Sequence, residues 1–122
     1  MPTYDDDSEL DRYVWNHYVA LLSDLERIVG RAVRAEQKAA AASGALAAEL
    51  RRRWGYASDP RVQQALAEGW PVFRTRARQR VPREHASSVF INRCPRCDRV
   101  ARTPRARQCL WCGEDWHDHP AG

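Results

Sequence analysis

The sequence predicts a mainly α chain, with an N-terminal helical hairpin or bundle closed by a small C-terminal β module. Three observations carry that expectation. Apolar residues recur at helical spacing from Leu10 to Val33. Helical patterning, punctuated by Gly and Pro, then continues to residue 80. Beyond residue 88 it stops, and all four cysteines of the 122-residue chain fall there as two C-x-x-C pairs. The expected division is a helical region over 1–87, a cysteine module over 88–119 and a tail over 120–122.

The first helix is expected over 8–43. Ser8 suits the N-cap, Asp11 three residues on can close a loose capping box, and Asp5, Asp6 and Asp7 complement the helix N-terminus. One seam, Val14, Tyr18, Leu21, Leu25, Ile28, Ala32, Ala35, Ala39, Ala42 and Leu46, alternates steps of four and three. It suits packing on the helices that follow, with a homodimer through the first helix as the alternative. Ser43-Gly44 predicts a turn, and a second helix over 45–54 presents Leu46, Leu50 and Trp54, with Gly55 as its C′ residue. Asp59-Pro60 restarts the chain as N-cap and first helical residue of a helix over 59–69, with Val62, Ala65, Leu66 and Trp70 apolar. Gly69-Trp70-Pro71 breaks it. A short basic helix over 71–80 follows, which Val81-Pro82 ends.

Val89-Phe90-Ile91 reads as the first strand of the C-terminal module and Val100–Arg102 as a second, with Thr103-Pro104 turning the chain back. Cys94, Cys97, Cys109 and Cys112 have the spacing that presents four thiolates to one zinc ion in a structural zinc ribbon. Knuckles need a positive-φ residue just after the second cysteine. Gly113 satisfies this, and Asp98 is the costlier substitute. Four thiolates leave no open coordination position, so the site reads as structural. Iron is the alternative metal to zinc. His117 and His119 are the only nearby alternative ligands, and both read as surface residues beside a complete cysteine set.

On these residues the stretch from Cys94 to Trp116 resembles the four-cysteine zinc ribbons. The string N-R-C-P-x-C…T-P-R-A-x-Q-C-x-x-C-G-x-x-W-H is also similar to that of a group of small uncharacterised bacterial zinc-ribbon proteins, and it implies no activity. Asp98 departs from the glycine that ribbons usually carry there.

Charge is unevenly spread. Residues 71–108 carry eleven arginines against Glu84 and Asp98, whereas residues 1–30 carry seven acids against Arg12 and Arg27. Two functions from different classes follow. In one, a non-enzymatic zinc-ribbon protein binds nucleic acid through Arg93, Arg96, Arg99, Arg102, Arg105 and Arg107, with Trp111 as a stacking platform. Those arginines would merge with the ones at 74 to 83 into one basic surface. In the other, the ribbon and the helical face dock on an acidic protein partner. The acidic N-terminal segment is also placed to cover the basic face. Enzymatic chemistry is not expected, since the four histidines (His17, His85, His117, His119) lack a surrounding nucleophile or carboxylate pattern and no glycine-rich phosphate loop is present. His17 reads as a packed residue of the first helix. Without a leader-like or membrane-spanning apolar run, a cytoplasmic protein off the membrane is expected, where reduced thiols favour metal over disulfides.

Overall fold

The computed structural model describes residues 3–54 and 59–117. Among the described residues five α-helices run α1 (Asp6–His17), α2 (Asp24–Ala41), α3 (Gly44–Trp54), α4 (Pro60–Ala65) and α5 (Trp70–Glu84), with a 3₁₀ turn at Val19–Leu21. The chain forms two compact units. One is Leu22–Ala77; the other takes in the chain up to Leu21 together with everything from Arg78 onward. The division therefore falls inside α5. The expected boundary after residue 87 separates α1 from the cysteines, yet both belong to the same unit.

The unit Leu22–Ala77 is helical. Its α2 starts at a complete capping box: Glu26 N–H donates to Ser23 Oγ at 3.1 Å and Ser23 N–H to Glu26 Oε1 at 2.7 Å. This box corrects the expectation of one helix over 8–43. It satisfies the first donors of a new helix, so the chain leaves α1 at Tyr18, makes one 3₁₀ turn and restarts at Asp24. The continuous seam for a homodimer is thereby broken. Its α2 half is also used within the chain, because Ala32, Ala35 and Ala39 are buried.

Gly44, at φ +63°, opens the turn into α3, and Arg51 on α3 reaches back to Glu36 on α2 at 3.1 Å. Among the described side chains of α3, Ala47 is the buried one. Leu46, expected on its apolar face, is exposed. The side chain of Trp54 and the Gly55 cap lie outside the described residues.

Asp59 caps α4 as expected, accepting from Arg61 N–H at 2.9 Å, with Pro60 in the first turn. The helix stops at Ala65, short of residue 69, and Gly69 at φ +94° leads into α5. Val29, Ala32, Val33 and Val62 form the core, lined by Leu25, Ile28, Ala65, Leu66, Trp70 and Phe73. The last two rings stack at 6.2 Å. Helix α5 runs past the expected stop at Pro82 to Glu84. A proline in the last turn removes one donor only, and His85 N–H to Val81 O at 2.9 Å closes the end.

The second unit is organised by polar ties. Its α1 is capped by Asp5, not by Ser8: Asp5 Oδ2 accepts from Ser8 N–H at 3.1 Å. Asp11 on α1 and Arg78 on α5 form a buried ion pair at 2.8 Å, and Arg78 also meets Asp7 at 3.1 Å. Arg78 is thus removed from the basic surface the sequence suggested. Arg80 meets Glu84 at 2.6 Å.

No β-strand forms among the described residues; two isolated antiparallel bridges, Arg93 with Val100 and Gln108 with Asp115, stand where a β ribbon was expected. The stretch expected as the first strand is held by side chains. Tyr13 Oη donates to Phe90 O at 2.5 Å and accepts from Asn92 N–H at 3.2 Å. Phe90 N–H donates to Tyr18 Oη at 2.9 Å. Two tyrosines of the N-terminal segment therefore do the work of a neighbouring strand. Among the described residues no helix is long and apolar enough to cross a membrane.

Candidate metal centre

The two knuckles are built to one plan, fifteen positions apart in sequence. Cys94 N–H donates to Arg99 O at 2.9 Å, and Cys109 N–H to Glu114 O at 2.8 Å. Asp98 N–H returns to Cys94 O at 2.9 Å, and Gly113 N–H to Cys109 O at 3.0 Å. Ala101 N–H reaches Asn92 O at 2.7 Å, and Trp116 N–H reaches Arg107 O at 2.9 Å. The residue after each second cysteine has positive φ, +63° at Asp98 and +82° at Gly113. Asp98 therefore adopts the left-handed conformation the knuckle demands, despite its Cβ.

This backbone aims the sulfurs inward. Cys94 and Cys109 are buried and Cys112 is exposed. Cys94 Sγ lies 3.6 Å from Cys112 Sγ, and Cys97 Sγ lies 3.6 Å from Cys109 Sγ, so each close pair spans the two knuckles. All four sulfurs fall within 4.8 Å of one another. A tetrahedral ion with metal–sulfur bonds of about 2.3 Å separates its ligands by about 3.8 Å. The donor set fits one metal ion.

Backbone N–H groups of Arg96 and Cys97 point at Cys94 Sγ (3.4 and 3.5 Å), and those of Trp111 and Cys112 at Cys109 Sγ (3.3 and 3.4 Å). Burial of Cys109 opposes ionisation, but these donors and the neighbouring thiols outweigh it and bring its pKa down to about 7. At Cys112 a backbone contact from Glu114 favours the thiolate; desolvation and the three other sulfurs prevail and push it up to about 11. Four thiols this close do not all ionise without a cation to balance them, so metal uptake displaces protons.

The other residues singled out in the sequence take several roles. Arg93 is bidentate to Asp6, at 2.9 and 3.2 Å, and donates to Asp98 O at 2.9 Å. Arg96 faces Glu114 at 3.6 Å; the Arg96 side chain is largely solvated and Glu114 is half-buried. The Arg99 guanidinium lies over the rings of Tyr4 (5.3 Å) and Trp111 (5.8 Å). Arg102 and Arg105 are exposed; Arg107 is half-buried. Trp111 is half-buried, with Tyr4 edge-on at 5.0 Å. His17 is exposed, its Nε2 3.2 Å from Arg102 O, and is not a core residue. His117 pairs with Asp115 at 2.5 Å, apart from the four-sulfur cluster. His119 lies outside the described residues.

Sequence reasoning missed Tyr4, Asp6, Tyr13 and Asn92. Asn92 is buried and its amide donates to Thr103 O at 3.0 Å and Ala106 O at 2.8 Å, bracing the loop between the knuckles. The acids at the chain start hinted at Asp6 alone; the tyrosines act on partners more than seventy positions away.

No protein-family model matches the chain, and neither a curated protein nor a solved structure matches it.

Proposed function

We propose that this is a non-enzymatic protein in which a structural zinc ion staples the two knuckles, and that the stapled unit binds nucleic acid. The observation that carries the reading is the arginine set on the cysteine unit: Arg96, Arg102 and Arg105 are exposed, and Arg99 and Trp111 form a half-buried pair. Exposed guanidinium groups serve phosphates, and an indole carrying a guanidinium is a face on which a base can stack. Zinc is favoured over iron by the short inter-knuckle span and its basic residues. Closed by four sulfurs, the ion supplies folding free energy and activates no water.

The same cations serve an acidic protein in the second reading. What favours it is apolar surface on this unit, Leu110 at 68% exposure on the second knuckle and Phe90 at 52%.

Titration of zinc-loaded protein with labelled single- and double-stranded DNA and RNA, at several salt concentrations, separates the two. Engagement of three phosphates on a single strand gives a slope of log K against log[salt] of about −2. Absence of salt-sensitive binding rejects the nucleic-acid reading. Metal analysis tests the staple: about one zinc per chain is expected, and iron in its place assigns the other metal.

A further inference from the structure

The residues that cover Arg93 and Trp111 carry the chemistry of a nucleotide. Asp6 presents its carboxylate to Arg93 in the two-pronged geometry that arginine also gives to phosphate. Arg93 is itself aimed by its bond to Asp98 O, so the knuckle fixes the fork. Two residues earlier, the Tyr4 ring meets Trp111 edge-on and lies under the Arg99 guanidinium. Its hydroxyl accepts from Val100 N–H at 2.9 Å and donates to Asp6 Oδ1 at 2.6 Å. One aromatic ring, one hydroxyl and one anion are thus held together by receptors that all belong to the first and second knuckles.

The covering residues are not core. The Asp6 side chain is 46% exposed and that of Arg93 32%. Tyr4 precedes α1, and Asp6 is its first residue, so both side chains can leave without unwinding the helix. The cap of α1 is Asp5, which takes no part in the contact.

We propose that Arg93, Arg99, the Val100 N–H and Trp111 form a subsite for one nucleotide of single-stranded nucleic acid, with phosphate on Arg93 and the base on Trp111 beside Arg99. Tyr4 and Asp6 occupy this subsite as an internal competitor. The inference rests on the nucleic-acid reading above and adds to it a location and a gate. In the resting chain Arg96, Arg102 and Arg105 make first contact, and the strand then displaces the Tyr4–Asp6 pair.

The test compares zinc-loaded full-length protein with Asp6→Asn and Tyr4→Ala/Asp6→Asn, using fluorescein-labelled oligo(dT) and a salt series. Freeing Arg93 strengthens binding about tenfold and leaves the salt slope at its wild-type value, because the wild-type complex, with Tyr4 and Asp6 displaced, already carries the phosphate on Arg93. Adding Arg93→Ala to Asp6→Asn removes that phosphate contact and makes the slope shallower than the wild-type value by about 0.7. Binding by the wild type with affinity unchanged in Asp6→Asn overturns the gate and leaves the nucleic-acid reading standing. Absence of binding by every variant overturns both. Should the variants lose zinc or helical signal, hydrogen exchange on the wild type decides. Saturating oligo(dT) must speed exchange in residues 4–9, and unchanged or slower exchange there overturns the proposal.

Discussion

Asp98 and Gly113 hold equivalent places in the two knuckles, both at positive φ, and they differ only in having or lacking a side chain. For an L-residue this region costs roughly 1–2 kcal/mol. Asp98→Gly should therefore stabilise the folded protein by about 1 kcal/mol, less the extra chain entropy of glycine. Gly113→Ala should destabilise it by about 1 kcal/mol through conformation alone, since a Cβ there meets nothing within 4 Å. Urea midpoints of the two variants check both signs.

Arg78 makes a different kind of residue-scale contribution, because its partner Asp11 is as buried as it is. Arg78→Ala strands a carboxylate and should cost about 3–5 kcal/mol in chemical denaturation, whereas Arg102→Ala at the surface should change stability by less than about 0.5 kcal/mol. Tyr13 reports through pH. Burial raises its hydroxyl to about 12, against an opposing contact from Asn92 N–H. The neutral phenol is the form the fold holds, so its contribution is complete below the ordinary tyrosine value of about 10 and lost as pH rises through about 12. Alkaline titration followed at 295 nm should show a late phenolate coupled to unfolding, and Tyr13→Phe should remove that late step.

At the scale of elements, the start of α2 decides how the N-terminal half is divided. The Ser23–Glu26 box ends any continuation of α1, and it is a local signal, S-x-x-E, readable in the sequence. The apolar stripe running through it, Tyr18 to Leu25, masked that signal because periodicity is blind to where a helix is cut. Ser23→Ala should lower stability by about 1 kcal/mol and raise hydrogen exchange in the first turn of α2 more than in its last. The strand expected at Val89–Ile91 failed for another reason. Its β-branched and aromatic residues do lie in a non-helical segment, but the tyrosine hydroxyls of residues 13 and 18 take its backbone groups before any strand can. No local pattern announces a side chain that acts across such a sequence separation.

At the scale of the whole molecule, the cysteine unit is interleaved in sequence: its N-terminal helix and its knuckles lie at opposite ends of the chain. The ties between them include Tyr4 to Val100, Asp6 to Arg93, Tyr13 to Phe90 and Tyr18 to Phe90. Metal removal should therefore reach α1. Chelation of the proposed metal should raise amide exchange across residues 6–17 by at least about tenfold, while residues 24–41, which belong to the other unit, should change little. Equal effects on both helices would show that the two units unfold as one.

The cysteine cluster that could hold a metal ion, the need for positive φ at Asp98 and Gly113, the Asp59-Pro60 helix start and the turn at Ser43-Gly44 were all legible in the sequence alone. Each is a short-range consequence of thiol spacing, steric limits on φ, or capping chemistry. Only the tertiary structure decided which arginines remain on the surface. Arg78 is buried with Asp11, Arg93 is taken by Asp6, and Arg99 lies over two rings. Each of those outcomes is set by a partner brought from a distant part of the chain, and charge counted along a sequence carries no record of such partners.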